Sequence, residues 1–268
     1  MRALRSQNAN FEMPNISRST WIELGSSPNH TYKPRGNHQR SVLQRRLQHG
    51  KSLSRGISPS RNIERTGTWM SPDEVLGVVL KDVGYYKQSG GGLTLSGGEP
   101  LVQSQFTFTL LERAHQAGLH KAIETTGQAS WAILKKAALH ADLILYDVKH
   151  TDPRAHLAAT GVSNKLILDN FRKLLSGESQ FYFWVRIPII PNFNASLPDM
   201  QNICTFIQDL PHQPEKISLL PFHKFASGKY HALGITYEYS NIPLVSDEDM
   251  IQYKEILTTS GSIVSIGS

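Results

Sequence analysis

Five short stretches of the chain carry ionisable or conformationally special residues. They are Ser96-Gly97-Gly98-Glu99-Pro100, Glu124-Thr125-Thr126-Gly127, Asp147-Val148-Lys149-His150, Arg186 ahead of Ile187-Pro188, and Pro221-Phe222-His223-Lys224. Each has a definite chemical use. Gly97 and Gly98 lack Cβ atoms, so their main-chain N–H and C=O groups can approach a ligand closely, and Glu99 adds a carboxylate able to hold a cationic amine. Asp147 and Lys149, two apart on an extended segment, share one face and can pair with each other or grip a zwitterion. Arg186 lies in the apolar run YFWVRIPII, where an unpaired guanidinium is costly, so a buried carboxylate or a ligand must meet it. His223 can hydrogen-bond or transfer a proton near neutral pH. Taken singly, each also has a plain structural use as a glycine turn, a rim salt bridge or a hydrogen-bonded histidine. Their recurrence at the ends of five successive strands points to a polar, charged ligand bound across one open face.

Those residues need elements that deliver them to one place, and from Trp69 onward the sequence alternates accordingly. Ser71 is the cap, Pro72 the first position and Asp73 and Glu74 the acidic first turn of a helix predicted to run about four turns. Strands are predicted over Leu93–Ser96, Lys121–Thr125, Leu143–Asp147, Tyr182–Ile190, Lys216–Pro221 and Ser262–Ile266. Helices are predicted over Phe106–Ala117, 129–140, near 153–160, 164–175, 198–210 and 247–259. Strands separated by helices of this length imply right-handed crossovers and a parallel sheet of the α/β class, either open and doubly wound or a barrel. Both put ligands beyond the C-terminal ends of the strands.

The charge divides the chain in two. Residues 1–65 contain twelve Lys/Arg against three Asp/Glu, a balance of +9, whereas residues 66–268 contain sixteen against nineteen, a balance of −3, which together give the net +6. The basic segment is rich in Ser, Asn, Gln, His and Pro and has no hydrophobic period apart from a short strand signal at Thr20–Leu24, so it reads as a low-order head on an α/β body. A nucleic-acid or acidic-membrane tether, in which arginines neutralise phosphates, ranks second, because the head has no repeated basic motif. No stretch approaches the roughly 20 apolar residues of a membrane-spanning helix, and the first residues lack a secretory apolar core, so the expected address is cytoplasmic.

The motifs SGGGLTLSGGEP, IETTG, LYDVKH, VRIPIIPNFN and LLPFHKFASGKYHALG together resemble the glycyl-radical-enzyme activating enzymes, the pyruvate formate-lyase activating type of the radical S-adenosylmethionine superfamily, from about Met70 to Gly261. The resemblance implies a partial parallel (β/α) barrel. It implies that Gly97, Gly98 and Glu99 hold the methionine end of S-adenosylmethionine, that Asp147, Val148 and Lys149 line its sulfonium and carboxylate side, that Arg186 completes the carboxylate contacts, and that His223 sits near the adenosine end. Glu124 stands where the family often places an acid beside the substrate glycine loop, and Lys149 and Glu124 are the candidate catalytic groups. The implied reaction is reductive cleavage of S-adenosylmethionine to a 5′-deoxyadenosyl radical, which takes hydrogen from a glycine of a formate acetyltransferase-like partner enzyme. An external electron donor such as flavodoxin or ferredoxin is implied as well.

One expectation of the family is not met by the residues. The family holds a [4Fe-4S] cluster on three thiolates in a C-x-x-x-C-x-x-C loop ahead of the Gly-Gly-Glu turn, and this chain has one cysteine, Cys204, in a helical segment where it reads as a small buried apolar residue. His30, His38 and His49 fit no cluster spacing, and histidine ligation of the Rieske kind still needs two cysteines. No metal ligands are therefore assigned. The chain is expected to be impaired or inactive as an activating enzyme, or to be a non-catalytic protein that retains S-adenosylmethionine or partner binding. The change of composition near residue 66 fits an N-terminal region replaced by reading an upstream segment in another frame.

Overall fold

The structure is a computed structural model; it describes the backbone of residues 20–24 and, in full, residues 69–177, 180–224 and 239–267. The remainder of the basic head lies outside the described residues. Among them, the strands are β1 (Thr20–Leu24), β2 (Gly92–Gly97), β3 (His120–Thr125), β4 (Leu143–Asp147), β5 (Tyr182–Ile189), β6 (Lys216–Pro221) and β7 (Ile263–Ile266). The helices between them are α1 (Pro72–Val79), α2 (Val83–Ser89), α3 (Ser104–Gln116), α4 (Trp131–His140), α5 (Pro153–Thr160), α6 (Lys165–Leu174), α7 (Leu197–Gln208) and α8 (Asp247–Thr258).

The seven strands pair in parallel in the order β1-β2-β3-β4-β5-β6-β7. Sequential order decides between the two architectures that periodicity left open. Right-handed crossovers between neighbours taken always in one direction put every helix on the same face, which curls the sheet as in a barrel, whereas a doubly wound sheet reverses direction midway. The fold is thus a partial (β/α) barrel, and the Thr20–Leu24 strand covers the edge of β2 with Leu24 opposite Gly97. Alternation along each strand divides the side chains accordingly. Leu93, Leu95, Ile123, Ile144, Tyr146, Phe183, Val185, Ile217 and Leu219 pack against the helices, while Ala122, Leu143, Leu145 and Trp184 form a separate small cluster on the other face.

Local signals set the helix starts. Ser71 and Glu74 form a capping box, the Ser71 N–H donating to the Glu74 carboxylate at 2.7 Å and the Glu74 N–H to Ser71 Oγ at 3.3 Å. The four-turn helix expected after Ser71 is not continuous. A 3-10 turn at Leu80–Asp82 separates α1 from α2, and it lies between Gly77 and Gly84, each of which weakens a helix interior by about 1 kcal/mol relative to alanine.

One aromatic stack anchors the body. Tyr146, Phe171 and Phe183 have ring centroids 5.0 to 5.4 Å apart, and the buried Tyr146 hydroxyl donates to the Ile167 carbonyl at 2.7 Å. Gly127, at φ 72°, passes so close that a Cβ there would lie 1.7 Å from the Tyr146 hydroxyl oxygen. The expected cost of Gly127→Ala is about 2 to 5 kcal/mol, from left-handed strain together with overpacking. Chemical denaturation checks this, and Tyr146→Phe in the same background should recover part of the loss; an unchanged midpoint for Gly127→Ala would refute the packing argument.

Candidate functional site

All strands being parallel, four of the motifs leave the sheet at the same end, and Arg186, inside β5, lies level with Asp147 at the end of β4. Gly97 closes β2 with φ 125°, a conformation L side chains rarely adopt, and Gly97 and Gly98 are both exposed, so the turn presents bare backbone at the rim. Glu99 is tied down beneath it. Its carboxylate accepts from Thr125 Oγ1 at 2.7 Å, from the Thr126 N–H at 2.9 Å, from Thr126 Oγ1 at 2.7 Å and from the Leu101 N–H at 3.2 Å. Four donors match the four lone-pair directions of a carboxylate. Glu99 therefore fastens the β2 turn to the β3 turn.

On the helix-free face Glu124, Asp147 and Arg186 come together. Asp147 and Arg186 are Cα partners on β4 and β5, but the Arg186 guanidinium reaches across β4 to form an ion pair with Glu124 of β3. Ser96 donates to the second oxygen of the same carboxylate. The carboxylate partner that the apolar run around Arg186 demands is thus supplied from within the chain. Lys149 Nζ lies 3.3 Å from Asp147 Oδ2, and Asp147 Oδ1 is buried with no hydrogen-bond partner among the described residues. An orphaned, buried carboxylate oxygen is costly, and a donor placed there by a ligand would satisfy it. Two further buried polar atoms on this face, Thr94 Oγ1 and Trp184 Nε1, likewise have no partner among the described residues.

The other candidate residues are at the same end but play different parts. Val148 is 1% exposed and its side chain belongs to the core under the helices, so only its main chain reaches the rim, where its N–H donates to the Arg186 carbonyl at 2.9 Å. His223 is exposed, two residues beyond the end of β6. Cys204 is buried between α7 and α8, its Sγ 3.2 Å from the Ile256 carbonyl oxygen and 3.3 Å from Thr259 Oγ1. A single buried cysteine between two helices cannot supply the three thiolates of a cluster. Among the described residues no three His, Cys, Asp or Glu side chains are placed to hold a metal ion, and no helix is long and apolar enough to cross a membrane.

Three residues to which the sequence assigns no individual role, one of them the last of VRIPIIPNFN, complete the site. Asn164, Asn170 and Asn194 are at most 1% exposed, and each turns its amide group on main-chain carbonyls at strand ends. Asn170 donates to Gly127 and Ala129 at 2.9 and 2.8 Å, Asn164 to His150 at 2.6 Å, and Asn194 to Lys149 and Pro188 at 2.7 and 2.8 Å. Asparagine in a turn or at a helix start ordinarily signals local capping, which hides such long-range use.

Known proteins resemble this chain in sequence and fold. A family described as a 4Fe-4S single cluster domain matches residues 59–168, a stretch that contains no cysteine. The choline trimethylamine-lyase activating enzyme of Oleidesulfovibrio alaskensis is 39% identical over 196 residues, 72% of this chain and 62% of that protein. The isethionate sulfite-lyase activating enzyme of Nitratidesulfovibrio vulgaris is 39% identical over 181 residues, 68% of this chain and 58% of that protein. The chain thus spans about three-fifths of the length of these relatives. Among solved structures, a radical SAM methyltransferase from Sphaerobacter thermophilus superposes with TM-score 0.55 at 12% identity, over 74% of this chain and 58% of that one, which shows the radical SAM fold. A domain of the pyruvate-formate lyase-activating enzyme from Bacteroides vulgatus superposes with TM-score 0.57 at 32% identity, over 66% of this chain and 99% of that domain. The chain belongs to the glycyl-radical-enzyme activating enzymes.

The ion pair at the centre of the rim makes a direct prediction. Glu124→Gln leaves a guanidinium, 19% exposed at its side chain, without its carboxylate, and breaking a buried pair in this way is expected to cost about 1 to 3 kcal/mol after allowing for partial exposure. Denaturant midpoints of Glu124→Gln and of the double variant Glu124→Gln/Arg186→Met measure it. The double variant should regain most of the loss, and equal instability of the two would mean that the pair is not the source.

Proposed function

We propose that the rim is an S-adenosylmethionine site of the activating-enzyme type and that this chain by itself binds without completing the reaction. The single observation that carries the ligand assignment is the buried, unpartnered Oδ1 of Asp147 beside the Lys149 ammonium. A zwitterionic amino acid end answers both, its amine donating to Asp147 Oδ1 and to the carbonyls at Gly97 and Gly98, and its carboxylate meeting Lys149. Arg186, with five donors in a planar fork, can serve that carboxylate while keeping Glu124. Glu99 holds the Gly97-Gly98 turn in shape, Val148 lines the pocket with its main chain, and His223 lies toward the adenosine end. Lys149 and Glu124 flank the place where a glycine segment of a protein substrate would enter.

Bound in such a site, S-adenosylmethionine supplies the carbon–sulfur bond whose reductive cleavage starts hydrogen abstraction from a glycine. The protein substrate fitting this lineage is a glycyl radical enzyme resembling formate acetyltransferase, and the electron would come from a donor such as flavodoxin or ferredoxin. The [4Fe-4S] cluster does not fit this chain: one cysteine, buried against α8, cannot replace three thiolates. The chain is therefore impaired or inactive as an activase unless a cluster is supplied from outside it. The competing reading, a non-catalytic binding remnant, shares the same ligand site.

Anaerobic calorimetry tests the site. Asp147→Asn should weaken S-adenosylmethionine binding by about tenfold or more, the value of one charge-assisted contact, with little change in melting temperature. Glu99→Gln should lower affinity and melting temperature together, because it unfastens two turns. Equal affinities in wild type and Asp147→Asn would refute the assignment. In the same samples a strong reductant should release no 5′-deoxyadenosine, and its stoichiometric appearance would overturn the argument from cysteine.

A further inference from the structure

The β4–β5 seam stops just where the ligand-facing residues begin. In a parallel ladder the Val148 N–H donates to the Arg186 carbonyl, as it does here at 2.9 Å, and the following rung would run from the N–H of residue 188 to the Val148 carbonyl. Residue 188 is proline and has no N–H, so that rung cannot form. Beyond it the two strand ends would be free to separate, carrying Lys149 away from Asp147.

The turn after β5 closes the gap. Asn192 takes a left-handed conformation, φ 62°, which asparagine tolerates better than most residues. The N–H groups of Phe193, Asn194 and Ala195 converge on the Ile190 carbonyl at 3.2, 3.1 and 3.3 Å. The chain is thereby folded back over β4. Asn194, fully buried, donates one amide hydrogen to the Lys149 carbonyl at 2.7 Å and one to the Pro188 carbonyl at 2.8 Å, and its own oxygen accepts from the Ile190 N–H at 2.7 Å. Phe193 packs on the His150 ring with centroids 5.3 Å apart, and Asn164 holds the His150 carbonyl from the other side.

We propose that Asn194 is a positioning residue for the carboxylate end of the ligand: where Pro188 ends the ladder short of the Val148 carbonyl, its amide ties the next carbonyl, that of Lys149, to the Pro188 carbonyl of β5, and so fixes Lys149 beside Asp147 and level with Arg186. The inference rests on the S-adenosylmethionine reading of the rim and adds a residue that does not touch the ligand. It acts on Lys149 alone among the ligand groups, which gives it a signature that general loosening lacks. The adenosine end, near His223, is served by a different strand.

The test compares two probes, S-adenosylmethionine and 5′-methylthioadenosine, which keeps the adenosine and sulfur but lacks the amino acid end. Binding of each is measured by calorimetry to the full chain, to Asn194→Ser and to Asn194→Asp, the second of which keeps the acceptor for the Ile190 N–H if the serine variant folds poorly. S-adenosylmethionine affinity should fall about tenfold with 5′-methylthioadenosine affinity unchanged, and Lys149→Gln should add little in the Asn194→Ser background although it costs as much alone. Parallel losses for both probes, or additive effects of the two substitutions, would reduce Asn194 to general support and overturn the proposal, as would unchanged S-adenosylmethionine binding. Failure of the wild-type chain to bind S-adenosylmethionine would instead refute the ligand reading on which it stands.

Discussion

A parallel sheet wound always in one direction has a face that no helix covers, and charges placed on that face must be neutralised within the sheet or by a ligand. The rim of this protein is organised by that constraint. Glu124 and Arg186 neutralise each other across an intervening strand, Ser96 donates to the other Glu124 oxygen, and Asp147, the Cα partner of Arg186, has one oxygen facing Lys149 and one without a partner among the described residues. The asymmetry between two carboxylates on adjacent strands separates a closed structural pair from an open acceptor. It arises because the long arginine side chain reaches past Leu145 toward β3.

Holding such a rim requires backbone control at each turn, and side chains supply it. Glu99 accepts four donors from the β3 turn and from its own 3-10 turn, while three buried asparagines pin carbonyls that have run out of ladder partners. Buried amides of this kind are well suited to the task. Each offers two donors and an acceptor in a fixed plane, and leaving the carbonyls unpaired in a dry rim would cost more than ordering the asparagine. The Gly97-Gly98 turn, by contrast, is exposed.

The family and the residues disagree at one point of chemistry. A cluster-domain match spans residues 59–168, yet the sole cysteine is residue 204, on a helix behind the sheet. The strands, the Gly-Gly-Glu turn and the Asp-Val-Lys turn carry the resemblance without the thiolates.

Much of the fold was legible along the chain because local signals agreed with each other. Leu143–Asp147, Lys216–Pro221 and Pro153–Thr160 have the limits their composition indicates, since apolar runs between turn residues and an Asp-Pro helix start act within a few positions. Thr20–Leu24 was legible as a strand, but its parallel pairing with β2, more than sixty residues on, was not. The break in the first helix at Leu80–Asp82 has no strong local signal, because Gly77 and Gly84 weaken a helix without ending it. Sequence alone also identified the charged residues at five strand ends and the need of Arg186 for a carboxylate. Tertiary structure decided that the carboxylate is Glu124, 62 positions away, that Glu99 is saturated by Thr125 and Thr126, and that Asn194 bridges Lys149 and Pro188. Residue type and near-neighbour spacing determine which groups can do chemistry. Which of them meet is settled by strand register and crossover direction, which sum over the whole chain and leave no mark at any one position.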